Sequence, residues 1–142
     1  MEKISRGLKN YLDKELSQLL TQYEKRRLAL AKEAEAGFDI SFSLEEEVWE
    51  RKIKFLKNLM KNKEIISFQK KGEEIVLGSY VTINFQGFKK SFILDGVGYK
   101  KDDIIIISSK SPIGSILLGK KRGETILFQG KTIKIETVSF AW

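Results

Sequence analysis

Seven carboxylates lie close together in this chain, and no lysine or arginine separates them. The 142-residue chain has a formal net charge of +7, so the acidic segment contrasts with a basic background. Cysteine and histidine are both absent, which excludes the usual zinc sites and thiol or imidazole catalysis. Carboxylates, lysines, hydroxyls and the backbone are the groups left for chemistry. The acids are Glu33, Glu35, Asp39, Glu45, Glu46, Glu47 and Glu50.

Basic residues flank this acidic segment on both sides. Such charge runs are most often solvated helix faces, and acidic neighbours such as Glu24 and Glu50 partly offset them. A basic stretch is also what RNA phosphates require. The basic residues are Lys25, Arg26, Arg27 and Lys32 before the segment, and Arg51, Lys52, Lys54 and Lys57 after it.

The periodicity of the first 60 residues predicts two helices. Apolar residues recur in steps of three and four over residues 4–36, and Gly37 is well placed to end that helix. Ser43 and Glu46 have the spacing of a capping box, which predicts the start of a second helix. Only residues 38–42 would separate the two, so we expect an antiparallel hairpin. The predicted apolar stripes are Ile4, Leu8, Leu12, Leu16, Leu19, Tyr23 and Leu30, and then Leu44, Val48, Phe55 and Leu59 with Trp49, Leu56 and Met60.

The three consecutive acids from Glu45 to Glu47 have two interpretations. If the second helix starts at Ser43, they lie in its first turn, where the helix macrodipole favours acids. Alternatively, their concentration in a basic protein indicates a functional acidic tip. The pattern alone leaves both interpretations open.

Near Lys63 the period of the pattern changes from 3.6 to 2, which predicts a β-sheet domain. The segments are rich in β-branched and aromatic residues, and Gln129-Gly130 is a hairpin signal. The isoleucines from Ile104 to Ile107 are typical of a central strand buried on both faces. The predicted strands cover residues 64–68, 75–85, 90–94, 103–108, 125–128 and 132–140.

The segment Ile107-Ser-Ser-Lys-Ser-Pro-Ile-Gly-Ser-Ile-Leu-Leu-Gly-Lys-Lys-Arg-Gly-Glu124 contains the only proline of the chain. Its residues predict a strand end, a turn at Ser111-Pro112, one short helix and a glycine-punctuated return to the next strand. This segment closely resembles the hallmark of the C-terminal domain of bacterial Gre transcript-cleavage factors. Further segments at residues 63–67, 75–83 and 92–96 are also similar to that family.

This resemblance implies an α+β protein with two domains. Residues 1–63 would form an antiparallel coiled-coil hairpin. Residues 64–142 would form an antiparallel β-sheet domain with a short helix, similar to the FK506-binding prolyl isomerases. The C-terminal domain would dock on bacterial RNA polymerase, with the loop Ser111, Pro112, Ile113 and Gly114 as its contact. The same loop residues could equally serve only the turn that the fold needs.

The resemblance also implies a function for the hairpin tip. Gre factors insert the hairpin into the secondary channel of the polymerase and stimulate the polymerase to cleave backtracked RNA. Such a protein is an accessory factor rather than an enzyme. It needs no cofactor of its own, because the Mg²⁺ belongs to the polymerase active site, and Mg²⁺ prefers oxygen ligands. Asp39 and Glu45 are the expected metal-directing carboxylates, with Glu46 and Glu47 as alternatives.

The nascent RNA 3′ end is the second expected partner. The residues expected to contact RNA are Lys25, Arg26, Arg27, Arg51 and Lys52.

The tip departs from the Gre pattern, and this keeps two alternatives open. The acid that follows Asp39 arrives late, and Trp49 stands where the family has tyrosine. The protein could therefore occupy the channel as a regulator without stimulating cleavage. The fold of the C-terminal half also suggests a prolyl isomerase or chaperone, although fold alone does not imply that activity and the aromatic residues are scattered.

No apolar run approaches the roughly 20 residues that a membrane span requires. The N-terminal residues also lack the apolar core of a signal peptide. We therefore expect a cytoplasmic, monomeric protein, although an apolar seam near Ile4 could support an oligomer.

Overall fold

The structure is a computed structural model that describes residues 2–35, 40–67 and 73–142, with the side chains of residues 34 and 40–43 left undescribed. Two compact units make up the chain. The hairpin unit comprises Asn10–Lys61, and the sheet unit comprises Met1–Lys9 together with Asn62–Trp142. In chain order, the elements are β1 (Glu2–Ser5), α1 (Arg6–Glu35), α2 (Ile40–Met60), β2 (Lys63–Ile66), β3 (Ser79–Phe85), β4 (Phe88–Asp95), β5 (Tyr99–Lys101), β6 (Ile104–Ser108), α3 (Pro112–Leu117), β7 (Thr125–Phe128) and β8 (Lys131–Phe140).

The hairpin unit confirms the two predicted helices and the apolar stripe of α1, but it changes the buried face of α2. In this unit α1 buries Leu12 and Leu30, and α2 buries Ile53 and Leu56. The stripe predicted on α2 was wrong for three of its members, since the side chains of Leu44, Val48 and Phe55 are 62%, 48% and 53% exposed. Helical spacing identified α2 correctly. It could not identify the buried face, because apolar residues occur on more than one side of this helix.

The second helix also begins earlier than predicted. Its first helical residue is Ile40, so Ser43 lies inside the helix and the predicted capping box at Ser43 and Glu46 is wrong. The first turn of α2 contains no acid. The macrodipole interpretation of Glu45 to Glu47 therefore loses its premise, because that effect is limited to the first turn of a helix.

The sheet unit contains a six-stranded sheet in the order β5-β6-β4-β3-β8-β7. All neighbouring strands are antiparallel except β4 and β6, which are parallel. The predicted α+β class is confirmed, while the sheet is mixed rather than wholly antiparallel. Its main core lies on one face of the sheet, where α3 contributes Leu117. The core consists of Ile75, Val81, Ile83, Phe92, Leu94, Leu117, Ile133 and Ile135.

Strand predictions in the sheet unit were mostly confirmed. The hairpin at Gln129-Gly130 has positive φ at both residues, as a two-residue turn between strands requires. The prediction at residues 75–85 was too long, because Gly78 has φ +91° and β3 begins only at Ser79. Ile105 is 39% exposed, so β6 is not buried on both faces. The sequence pattern did not predict β5, because two of its three residues are lysines.

The first residues of the chain form a strand instead of a helix. In β1, Ile4 pairs with Ile65 of β2 in a parallel two-stranded sheet. Ile4 is fully buried, so the expected exposed seam near it does not exist. The predicted hairpin of residues 1–63 thus differs from the observed grouping, in which residues 1–9 are part of the sheet unit. The apolar steps through Ile4 and Leu8 fit a helix, but pairing with β2 determines the conformation of Ile4.

Asp95 is the fully buried carboxylate that fixes the start of α1. Its Oδ1 accepts from the backbone N–H groups of Ser5 (2.9 Å) and Gly96 (2.8 Å). Its Oδ2 accepts from the Ser5 hydroxyl (2.5 Å) and from the indole N–H of Trp142 (3.2 Å). The Ser5 Oγ accepts in turn from the N–H of Leu8 at 3.1 Å, which is the N-cap geometry of a helix that begins at Arg6.

Gly96 allows β1 to approach this carboxylate. A Cβ atom at residue 96 would lie 1.7 Å from the carbonyl oxygen of Lys3. Only glycine can occupy the position without moving the backbone of β1. The sequence Asp95-Gly96 therefore supplies both the acceptor and the space that the N-terminal strand needs.

Glu2 binds two lysines of the sheet unit. Its Oε2 lies 2.9 Å from Lys63 Nζ, and its Oε1 lies 2.8 Å from Lys110 Nζ. These hydrogen bonds, first that of Lys110 and then that of Lys63, lower the pKa of Glu2 from 4.5 to about 2. The ion pairs connect β1 to β2 and to the loop that follows β6.

We expect Asp95→Asn to lower the free energy of unfolding by about 3 kcal/mol. Both carboxylate oxygens accept from donors, so either orientation of the amide would place an NH₂ group against donors. Urea unfolding monitored by tryptophan fluorescence measures the change. Asp103 is exposed, so Asp103→Asn is the matched control and should change stability by less than about 0.5 kcal/mol. Equal unfolding midpoints for both variants would contradict the role of Asp95.

The pKa of Glu2 predicts an acid-dependent loss of stability. Because the pKa is depressed in the folded state, the contribution of Glu2 is complete above pH 4.5 and disappears as the pH falls through about 2. A carboxyl chemical-shift titration by NMR should show a midpoint near 2. In Lys110→Ala the midpoint should move toward 4.5, since the largest cause is removed. A wild-type midpoint at 4.5 would show that the two lysines do not bind Glu2 in solution.

Candidate functional site

Of the two carboxylates expected to direct a metal, the structure describes only Glu45. Asp39 lies outside the described residues. Glu45 lies on α2, where Arg26 of α1 contacts it through two hydrogen bonds: Arg26 Nε donates to Oε1 at 2.6 Å, and Nη2 donates to Oε2 at 3.1 Å. The same guanidinium approaches Glu33 at 3.9 Å. Both oxygens of Glu45 are thus engaged by one cation.

The ion pair changes the titration of both partners. The Arg26 hydrogen bonds hold the pKa of Glu45 below its ordinary value, with burial opposing the effect. The same contact raises the pKa of Arg26. Glu45 therefore stays ionised to a lower pH than an unpaired glutamate, and its charge is paired across the two helices of the hairpin.

Tyr23 connects the other acids of α2 to α1. Its hydroxyl lies 3.1 Å from Glu46 Oε1 and 3.4 Å from Glu50 Oε1. Its ring stacks on Trp49 with centroids 6.1 Å apart. Burial, and then the hydrogen bond and charge of Glu46, raise the pKa of the Tyr23 hydroxyl, so it remains a neutral donor. Tyr23 precedes Arg26 on α1, whereas its partners Glu46 and Glu50 follow Glu45, the partner of Arg26, on α2. The two helices are therefore antiparallel at this level.

Further predicted residues of α2 contact neighbours on the same helix. Glu47 forms an ion pair with Arg51 one turn later on the same helix, at 2.8 Å. Lys52 Nζ lies 5.6 Å from the centroid of the Trp49 ring, within cation–π range. Lys25 and Arg27 are exposed on α1. Three of the five cations expected to contact RNA, namely Arg26, Arg51 and Lys52, thus make contacts within the hairpin.

The described part of the chain contains no group of three or more acids arranged to hold a metal ion. Glu45 has the hard oxygen donors that Mg²⁺ prefers, so its chemistry fits a metal ligand. Arg26 uses one lone pair of each Glu45 oxygen, so a metal would compete with Arg26 for bidentate binding. Its assignment, like those of Glu46 and Glu47, stays a prediction.

The expected docking loop makes a well-defined turn. Ser111 is the N-cap of α3: its Oγ accepts from Gly114 N–H at 3.0 Å and donates to the Ser108 carbonyl at 2.7 Å. Pro112 occupies the first helical turn and is exposed. Gly114 is buried, and a Cβ there would lie 2.0 Å from the Ser108 oxygen. The turn requires a capping hydroxyl at Ser111 and the small size of Gly114. Pro112 is the exposed residue of the loop, so it is the most available to a partner.

A surface groove of about 600 Å³ lies between α3 and β7, and sequence reasoning missed it. None of its lining residues is aromatic, so it lacks the aromatic lining that the isomerase hypothesis requires. The sequence signal for this surface is the absence of charge in β7. In the structure, Leu127 of this strand is 71% exposed. The lining residues are Ser115, Ile116, Leu118, Lys120, Glu124, Thr125, Ile126 and Leu127.

No model of a protein family matches the chain. A 57-residue segment, 40% of the chain, is 40% identical to the transcription elongation factor GreA of Chlamydia trachomatis serovar D. This segment corresponds to only 8% of the length of that relative. The match confirms the resemblance to the Gre factors that the sequence analysis identified.

Solved structures of Gfh1 and of a GreA/GreB factor also align with the chain. Gfh1 of Thermus aquaticus is 21% identical, with 97% of this chain and 99% of that chain covered and a TM-score of 0.43. The GreA factor homologue Gfh1 of Thermus thermophilus is 19% identical, with 97% and 98% covered and a TM-score of 0.39. The GreA/GreB factor of Nitrosomonas europaea is 20% identical, with 62% and 79% covered and a TM-score of 0.39. At these scores the superpositions carry no argument about function.

Among the described residues, no helix combines the length and the apolar character needed to cross a membrane.

We expect Arg26→Gln to raise the pKa of Glu45 toward its ordinary value, because the principal cause of its depression is removed. A carboxyl chemical-shift titration of the two proteins measures this change. Arg27→Gln is the matched control, since Arg27 is the neighbouring cation on α1 and has no part in the shift of Glu45. An unchanged Glu45 titration in Arg26→Gln would show that the ion pair does not form in solution.

Proposed function

We propose that this protein is a transcription elongation factor that binds bacterial RNA polymerase and stimulates the polymerase to cleave backtracked RNA. The observation that carries the proposal is the 40% identity to GreA over 57 residues. In this proposal the sheet unit docks on the polymerase and the hairpin enters the secondary channel. The protein is an accessory factor, and the polymerase performs the chemistry with its own Mg²⁺.

In this proposal the sheet unit docks through the loop that begins α3. Ser111 and Gly114 hold the backbone in place, which supports a rigid contact rather than an adaptable one. Pro112 is exposed on that rigid turn. A fixed apolar side chain binds a partner with little loss of conformational entropy.

Asp39 and Glu45 are the residues of the hairpin that would hold the second Mg²⁺ of the polymerase. When bound, that metal stabilises the attacking and leaving oxygens of phosphodiester hydrolysis. Arg26 keeps Glu45 in place in the free protein, and a metal of higher charge density could replace it. The exposed cations Lys25 and Arg27 would lie along RNA phosphates at the nascent 3′ end.

One observation favours a second candidate, a channel-binding regulator that does not stimulate cleavage. Arg26 donates a hydrogen bond to each oxygen of the Glu45 carboxylate. If the pair persists in the polymerase, Glu45 stays bound to Arg26, and the tip occupies the channel with only one of its two expected metal-directing carboxylates. Both candidates share the same dock and differ only in the fate of this ion pair.

Cleavage of labelled RNA in a stalled, backtracked polymerase complex separates the two candidates. If the protein is a cleavage-stimulating factor, the full-length protein increases the cleavage rate. The double variant Asp39→Ala, Glu45→Ala should then stimulate cleavage at least about 10-fold less, while it still binds the polymerase. Arg26→Gln retains Glu45 without its partner. It should stimulate cleavage by the polymerase at least as strongly as the natural sequence does. Lys14→Gln controls for loss of one positive charge on α1, since Lys14 is exposed and has no part in the proposed contacts.

Binding without cleavage by the natural sequence would support the regulator. Cleavage gained in Arg26→Gln would then identify the ion pair as the cause. Failure of the natural sequence to bind the polymerase would overturn both candidates.

A further inference from the structure

Two hairpin turns of the sheet unit have the same sequence. Residues 85–87 and residues 128–130 are both Phe-Gln-Gly. The glutamine and the glycine have positive φ in each turn, 52° and 86° in the first and 53° and 76° in the second, so both are two-residue turns of the same kind. The strands β4, β3, β8 and β7 are neighbours in that order, and their antiparallel pairing places both turns at the same end of the sheet.

The two turns place aromatic side chains on one face of that sheet end. Phe85 and Phe128 are half-buried and pack against the core. Phe88 lies directly opposite Phe85 in the ladder, and directly opposite residues share a face of a sheet. Phe88 is 74% exposed, so its ring offers a π surface to solvent.

Lysines lie among these rings. Lys90 is opposite a core residue of β3, and Lys131 is opposite Phe128, so both lysines share the aromatic face. Lys131 Nζ lies 5.7 Å from the centroid of the Phe85 ring, within cation–π range. Two further lysines occupy the other face of the same sheet end, namely Lys89 and Lys134. The residues on the aromatic face form the turn patch: Phe85, Phe88, Lys90, Phe128 and Lys131.

No acid offsets these lysines within the strand segments that carry them. Residues 79–94 and 125–135 contain four lysines and no aspartate or glutamate. Within the described part of the chain, none of the four lysines forms an ion pair. Three acids border the two segments. Asp95 is buried, Glu124 lies beyond the other end of β7, and Glu136 is about 17 Å along β8 from Lys131.

An exposed ring among unpaired cations is what single-stranded nucleic acid requires of a protein surface. Its bases stack on aromatic rings, and its phosphates are neutralised by lysines. Gln86 and Gln129 are exposed in the two turns, and their amide groups both donate and accept, as base edges require. A duplex fits this surface less well, because its paired bases stack on one another and cannot stack on Phe88.

We propose that the turn patch binds single-stranded nucleic acid, with a base stacked on Phe88 and phosphates bound by Lys90 and Lys131. This inference does not rest on the proposed function, in which the expected RNA contacts belong to the hairpin unit. A second copy of the chain is a less suitable occupant, because the lysines of two copies would repel each other. An acidic protein segment would match the lysines but has no base to stack on the exposed ring.

The test measures the fluorescence anisotropy of labelled probes with the full-length protein and without polymerase. The probes are a mixed-sequence RNA of about 12 nucleotides, the DNA of the same sequence, the RNA paired with its complement, and polyglutamate of the same length. We expect both single strands to bind. The duplex and polyglutamate should bind at least about 10-fold more weakly, although both carry enough charge for the lysines. A preference between the two single strands identifies RNA or DNA as the better ligand.

Variants at Phe88 test the stacking. Phe88→Leu keeps an apolar side chain without a π surface and should weaken binding of the single strand at least about 5-fold, whereas Phe88→Trp should retain it. Leu127→Ala is the matched control, because Leu127 is 71% exposed and lies on the opposite face of the same sheet end. Its affinity should be unchanged. Amide spectra by NMR show that each variant is folded.

Variants of the basic residues test the phosphate contacts. Lys90→Gln and Lys131→Gln should each reduce the slope of log affinity against log salt by about 0.7, the value for one phosphate of a single strand. Lys100→Gln is the matched control, since Lys100 is exposed on β5 at the far edge of the sheet. The double variant Lys25→Gln, Arg27→Gln should still bind, because those residues belong to the hairpin unit.

A duplex or polyglutamate that binds as tightly as the single strand would overturn the proposal. Equal affinities of Phe88→Leu and Leu127→Ala would also overturn it. If binding is lost in the Lys25→Gln, Arg27→Gln variant and retained in Lys90→Gln and Lys131→Gln, the hairpin unit is the binding site and the proposed patch is wrong. None of these outcomes depends on polymerase, so failure here is distinguishable from failure of the proposed function.

Discussion

A buried carboxylate is stable only where donors surround it, and this constraint organises the sheet unit. Asp95 has four donors, which come from the N-terminal strand, its own turn and Trp142. Because Ser5 both donates to Asp95 and caps α1, the carboxylate determines where the long helix begins. Gly96 makes the arrangement possible by leaving space for the backbone of β1.

Charge is used differently in the two units. In the hairpin unit, acids and bases are equal in number, and they pair with one another across or along the helices, as Arg26 does with Glu45. In the sheet unit, bases exceed acids, 16 to 9. An acidic sequence cluster therefore need not be an acidic surface, because the pairing partners decide how much charge remains.

The sequence predicted elements well and their environment less well. Period and turn chemistry located both long helices, α3 and most strands, since these depend on local residue types. Ile4 was assigned to a helix because its pairing with Ile65 is a contact 61 residues away in sequence. The seven acids were visible as a cluster, but the guanidinium that binds Glu45 lies 19 residues earlier on another helix. The groove escaped prediction because α3 and β7 each contribute only half of it.

The proposed function requires that the chain bind bacterial RNA polymerase at the site that Gre factors use. Sedimentation of the purified protein with polymerase core enzyme, alone and with increasing GreA, measures this binding. We predict a one-to-one complex from which GreA displaces this protein. Absence of a complex, or a complex that saturating GreA does not displace, would contradict the account.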